Sequence, residues 1–205
     1  MLVKRGMMQN KLVIGVTGGS GCGKSIVSSA AESLGFLHID TDVLGHEIIL
    51  KPKPAYMQIV KEFGKSILAE NGEIDRSKLG ALVFADKSKL EILNSITHPQ
   101  IENEVKSMLA ERTVIDGAVL YKSPGLLKLC DCIIAVTNSD ERRVSFICSR
   151  DGINTEAALK RIKSQPDNEF YSSRADYIIN SDCDIKELFS RSVDVIKRCI
   201  IEKAY

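Results

Sequence analysis

Gly18, Gly23, Lys24 and Ser25 stand in the spacing G-x-x-x-x-G-K-S within the stretch VIGVTGGSGCGKSIVSSAA, residues 13–31. Glycines let a backbone curl so that successive N–H groups point inward, and a helix beginning there adds the positive end of its dipole. The cradle takes an anion the size of a triphosphate. A lysine at this spacing bridges the β- and γ-phosphates, and the serine hydroxyl reaches a magnesium ion. The pattern therefore predicts that Gly18, Gly19, Ser20, Gly21, Cys22, Gly23, Lys24, Ser25 and the following Ile26 hold nucleotide phosphates, with Ser25 on the metal.

A second group with chemistry follows in HIDTDVLGHEII. Asp40 and Asp42 are two residues apart, so a strand running through both would place them on one face. Paired carboxylates beside a phosphate loop can divide labour, one accepting a proton from an attacking hydroxyl and the other holding magnesium waters. The bland reading is a pair of helix N-caps, a position aspartate favours.

These residues need a strand, a loop and a helix to hold them. KLVIGV before the loop reads as a buried strand over 12–16, and KSIVSSAAESLG after it as a helix over 24–34 closed by Gly35. FLHID (36–40) reads as a second strand. Helical pattern then runs from Leu44 to about Glu111, broken by KPKP (51–54) and ENGEI (70–74). Strands return near 112–118, at 131–138 and at 176–180, before a terminal helix. The charged segment between them carries Arg142, Arg143, Arg150, Lys160, Arg161 and Lys163. Parallel strands alternating with helices predict an α/β, doubly wound parallel sheet that binds ligands at the carboxyl ends of its strands.

The bulk composition narrows the class. With 28 basic and 27 acidic residues in a chain of 205, there is no electrostatic footprint for nucleic acid or an anionic membrane. No apolar stretch approaches the roughly 20 residues that span a bilayer. The start, MLVKRGMMQNK, lacks the apolar region of a secretory signal. It reads as a short disordered extension, and translation could equally begin at Met7 or Met8. Six cysteines without zinc spacing read as reduced, small packing residues, and the expected location is cytoplasmic. Cys22, near a lysine and a helix start, is where a thiolate would be favoured and redox control could act, although a tolerated small residue is the preferred reading.

The D-x-D after the phosphate loop, with FGKSIL (63–68), NGEIDRSKLGALVF (71–84), LNSITHPQI (93–101), RDGIN (150–154), SQ (164–165) and ADYIIN (175–180), resembles the dephospho-coenzyme A kinase family. The likeness runs from Leu12 to Leu188. It implies a P-loop kinase sheet formed by residues 11–42, 111–139 and 170–205, a helical substrate-binding insertion at 43–110, and an arginine-bearing lid at 140–169. It also implies ATP-dependent phosphorylation of the ribose 3'-hydroxyl of dephospho-CoA, with Mg2+, by an enzyme expected to be a monomer with no nucleic-acid or membrane partner. Asp42 takes the place of the family's catalytic aspartate. Asp40 would hold metal or substrate, and Lys24 and Arg150 would stabilise the transferring phosphoryl group. His46, His98 and Asp116 would meet the substrate, with Pro99 starting a helix beside His98. Asn180 would lie by the adenine.

The chain departs from the family in four places. Phe146 replaces an earlier lid arginine, leaving Arg142 or Arg143 as substitutes. DGAVLYK carries Ala118 for proline and Lys122 for glutamate, and Tyr171 replaces a basic residue. The competing readings are another P-loop small-molecule or nucleotide kinase, and a non-catalytic nucleotide or CoA sensor. No [NT]-K-x-D phrase supports a GTPase.

Overall fold

The computed structural model describes residues 11–117 and 120–203. The expectations for Met7, Met8 and Ala118 lie outside the described residues. Five strands, β1 (Leu12–Thr17), β2 (Leu37–Asp40), β3 (Arg112–Asp116), β4 (Cys132–Thr137) and β5 (Tyr177–Asn180), form one sheet in the order β2-β3-β1-β4-β5. Strands β3, β1, β4 and β5 pair in parallel, with Val16 opposite Asp116 and Ile134. Every residue of β1 and of β4 is buried. That explains their unbroken apolar sequence, because a central parallel strand is covered on both faces.

Among the described residues ten α-helices accompany the strands: α1 (Lys24–Ser33), α2 (Thr41–Glu47), α3 (Pro54–Phe63), α4 (Arg76–Phe84), α5 (Lys87–Met108), α6 (Pro124–Leu127), α7 (Asp140–Asp151), α8 (Thr155–Lys163), α9 (Asn168–Ser172) and α10 (Ile185–Lys203). The chain divides into two compact units. One comprises the described residues up to Ile39 and those from Leu109 onward, and the other is Asp40–Met108.

In the first unit α1 and α10 pack together against the sheet. Helix α1 contributes the small residues Ser28, Ala30 and Ala31, which allow close approach. Helix α10 contributes Leu188, Ser192, Ile196 and Cys199, all on one face at helical spacing. The chain goes from β1 toward β2 and β3 on one side, then crosses to β4 and β5 on the other. The order therefore reverses at β1, and a crevice opens beyond its carboxyl end, where such sheets take ligands. Residues 18–23 leave the sheet at that point.

In the second unit α2, α3 and α4 pack on α5. Pro99 does not start a helix, as its sequence context suggested, but lies inside the 22-residue α5. Proline in a helix interior removes one N–H and its ring crowds the preceding turn. Helix α5 keeps its course because Ile101 and Val105 beyond the proline are buried against the neighbouring helices.

Candidate active site

The loop between β1 and α1 is built around its glycines. Gly18 has φ 144°, and a Cβ there would lie 2.3 Å from the Val136 carbonyl oxygen, so no side chain fits between β1 and β4. Gly23, in the left-handed region, caps α1 without any side chain, and the first turn of α1 holds no acidic residue. The positive end of that helix is thus left open to an anion. Lys24 bends back over the loop, donating from Nζ to the carbonyls of Gly18 at 3.1 Å and Gly19 at 3.4 Å. Ser25 is exposed at the start of the helix and Ile26 follows half-buried.

Side chains from distant parts of the chain hold this loop in place. Ser181 Oγ lies 2.7 Å from the Cys22 carbonyl oxygen and 3.0 Å from that of Thr137, linking the end of β4, the loop and the turn after β5. Gln165 grips Ser20 twice, its Oε1 accepting from Ser20 N and its Nε2 donating to Ser20 Oγ, each at 2.8 Å. Arg143 Nε donates to the Ser20 carbonyl at 3.0 Å. Sequence reasoning gave Gln165 and Ser181 no role, since their partners are about 145 and 159 positions away.

Cys22 is fully buried, and burial pushes its thiol upward against the opposing pull of Arg143 and Lys24. A thiolate is therefore not favoured, because loss of solvent outweighs the neighbouring cations, and Cys22 behaves as the small packing residue that was the preferred reading.

Asp116 closes β3 at 7% exposure. Its Oδ2 accepts from Ser28 Oγ at 2.9 Å and lies 3.8 Å from His38 Nε2. Of the three histidines, His38 rather than His98 or His46 thus stands beside a candidate site carboxylate in the first unit. Its place at the second residue of a short strand was the available signal. Asn180 ends β5, its Oδ1 accepting from Asp182 N at 2.7 Å, so its side chain shapes the turn after the strand.

The charged segment 140–169 presents its arginines unequally. Arg150 is 64% exposed and forms a two-pronged pair with Asp151, whose carboxylate also receives Arg161. The guanidinium hydrogen bond holds Asp151 well below the usual carboxylate range, at about 2. Arg142 pairs with Asp182 at 2.8 Å and donates to the Cys183 carbonyl at 3.0 Å. Phe146 is largely open to solvent, and Tyr171 is buried in an aromatic group with Tyr121 and Phe170.

In the second unit, the strand does not persist through both aspartates. Asp40 is the N-cap of α2, its Oδ1 accepting from Asp42 N at 2.8 Å and Val43 N at 3.0 Å, while Asp42 sits exposed in the helix's first turn. The same-face pairing is therefore replaced by a cap, because aspartate satisfies the orphan N–H groups of a helix start better than it extends a strand. Asp40, expected on the metal, has that oxygen committed to the cap. His46 lies in the last turn of α2 and lines a groove of about 220 Å³ whose walls are Val43, Ile49, Leu50 and Ile74, with Glu47, Glu73 and Arg76 also at it. His98 is half-buried in mid-α5.

A five-stranded parallel sheet in this order, with a triphosphate-sized loop leaving its central strand, defines a phosphate-loop kinase. The dephospho-CoA kinase family model matches residues 12–187. The dephospho-CoA kinase of Fusobacterium nucleatum is 39% identical over 88% of this chain and 94% of its own length. That of Carboxydothermus hydrogenoformans is 35% identical over 91% and 93%. The solved dephospho-CoA kinase from Campylobacter jejuni superposes with a TM-score of 0.58 at 28% identity, covering 92% of this chain and 97% of that one. This chain belongs to the dephospho-CoA kinase family.

Proposed function

We propose that the chain transfers the γ-phosphoryl group of ATP to the ribose 3'-hydroxyl of dephospho-CoA, the final step in making coenzyme A. The observation that carries the reading is the family match across 12–187 together with an intact phosphate loop whose lysine, serine and uncompensated helix start are all in place. Lys24 would exchange its hold on the loop carbonyls for phosphate oxygens. Asp42, exposed in the first turn of α2, orients the attacking hydroxyl and takes its proton. Because the transition state is largely loose, positioning and charge matter more than base strength.

The Ser25 hydroxyl and the Asp116 carboxylate are hard oxygen donors of the kind Mg2+ takes alongside nucleotide phosphates, so the donor set fits that ion. When bound, Mg2+ offsets the negative charge of the β- and γ-phosphates. Asp116 is held for this task by Ser28. Arg150 reaches the phosphoryl group only by leaving Asp151. The groove beside His46 and Arg76 has apolar walls that suit an aliphatic arm, and its charge is mixed, with Glu47 and Glu73 beside the two basic groups. Among the described residues no helix is long and apolar enough to cross a membrane, and we place the enzyme in the cytoplasm as a monomer.

The test is ATP consumption by purified protein with Mg2+ and dephospho-CoA, alongside Asp42→Asn and with adenosine or AMP as other acceptors. Product with the mass of coenzyme A and a large drop in kcat for Asp42→Asn are expected. Turnover of AMP in preference to dephospho-CoA would overturn the substrate, and unchanged kcat in Asp42→Asn would overturn the base.

A further inference from the structure

The side chain of Arg143 is 3% exposed, whereas those of Arg142, Arg150 and Arg161 are 40% exposed or more. Its three nitrogens are unequally employed. Nε donates to the Ser20 carbonyl at 3.0 Å, Nη1 donates to Asp140 Oδ1 at 2.8 Å, and Nη2 is buried with no hydrogen-bond partner. The Asp140 carboxylate is 61% exposed, so water shares most of its charge. A buried guanidinium with an unmet N–H and a weakly held counter-ion is costly unless something else compensates it.

Its surroundings indicate what that is. Arg143 stands against the tip of the phosphate loop, where a Cβ on Gly19 would lie 2.4 Å from Nη2. A side chain at residue 19 would have to displace the guanidinium, whose unmet donor thus stands beside a loop whose other groups serve an anion. Lys24, the loop's own cation, is engaged with the Gly18 and Gly19 carbonyls. Elsewhere in the lid, Arg150 and Arg161 converge on Asp151 and Arg142 is paired with Asp182.

We propose that Arg143 is a nucleotide-binding residue of this chain: it braces the phosphate loop through Ser20 and supplies its Nη2 N–H to a phosphate oxygen of the bound nucleotide. It rests on the reading of the loop as a nucleotide site, and it gives Arg143 the place on the phosphates that Phe146, exposed on the same helix, cannot take.

The experiment measures binding by calorimetry for ATP, inorganic pyrophosphate and adenosine, without dephospho-CoA, in wild type, Arg143→Met and Arg143→Lys. Arg143→Met is expected to weaken ATP and pyrophosphate about tenfold or more, the loss of one charge-assisted hydrogen bond, while adenosine changes less than about twofold. Arg143→Lys keeps the charge but not the planar fork, and is expected to lose about threefold to tenfold on the same two ligands. Equal losses for ATP and adenosine would mean a merely structural role and overturn the proposal. ATP affinity within twofold of wild type in either variant would also overturn it, and Arg143→Lys decides if Arg143→Met does not fold. Wild-type turnover of dephospho-CoA is measured separately, so failure of the substrate assignment is distinguishable from failure here.

Discussion

The hydrogen bond from Ser28 to Asp116 fastens the first helix after the phosphate loop to the end of β3, and Ser28→Ala removes it. Ser28 is fully buried and Asp116 is 7% exposed, so water does not replace the lost donor freely. A hydrogen bond to a charged group contributes about 1.5–3 kcal/mol, and the carboxylate left short of a donor keeps its desolvation cost. For a chain of this size each kcal/mol moves Tm by about 2–4 °C, giving an expected fall of roughly 3–12 °C. Differential scanning calorimetry at pH 7 measures it. The same substitution in an Asp116→Asn background should cost markedly less, because the charged acceptor is already gone. A fall below about 1 °C, or an equal fall in both backgrounds, would refute the reasoning. kcat should drop with the stability loss, since Asp116 would then lose one of the contacts that orient it.

Two further outcomes can be checked directly. Asp151 is depressed to about 2, so its contribution to stability is present above the ordinary carboxylate range near 4 and is lost as pH falls through 2. An NMR titration of its carboxyl carbon should therefore show no midpoint between pH 3 and 9, and a midpoint near 4 would mean that Arg150 is not held there. Cys22, with its thiol pushed upward by burial, should react with iodoacetamide at pH 7.5 at least tenfold more slowly than a free cysteine, as followed by peptide mass spectrometry. Modification at the free-cysteine rate would show the loop to be open.

The parts of the fold that were legible in the sequence are those encoded locally. β1, the phosphate loop and α1 follow one another within 22 residues, and each carries its own pattern: an apolar run, spaced glycines, then helical periodicity. The D-x-D left two readings open, a shared strand face and a helix cap, and the structure takes the cap at Asp40, because the same aspartate that continues a pattern of two can also cap a helix. Pro99 misled for a related reason. Its local rule favours a helix start, and tertiary burial of Ile101 and Val105 overrides it. What stayed hidden depends on distant pairing: Ser28 with Asp116, Gln165 with Ser20, and Ser181 with Cys22. Among the lid arginines, composition alone did not distinguish Arg143, turned into the loop, from Arg150, turned to Asp151.

The strand order also sets a timetable for synthesis. β1 is the first strand to leave the ribosome, yet its partner β4 begins at Cys132, and the hydroxyl that ties down Cys22 belongs to Ser181. At ordinary elongation rates the nascent chain carries β1 for on the order of ten seconds before β4 emerges. During that interval one edge of an almost wholly apolar strand has no partner, which is the kind of surface chaperones bind. A ribosome stalled before residue 181 would therefore display the complete phosphate-loop motif in a chain unable to hold nucleotide tightly, and ATP capture by arrested chains of increasing length should rise only once that serine is clear of the exit tunnel.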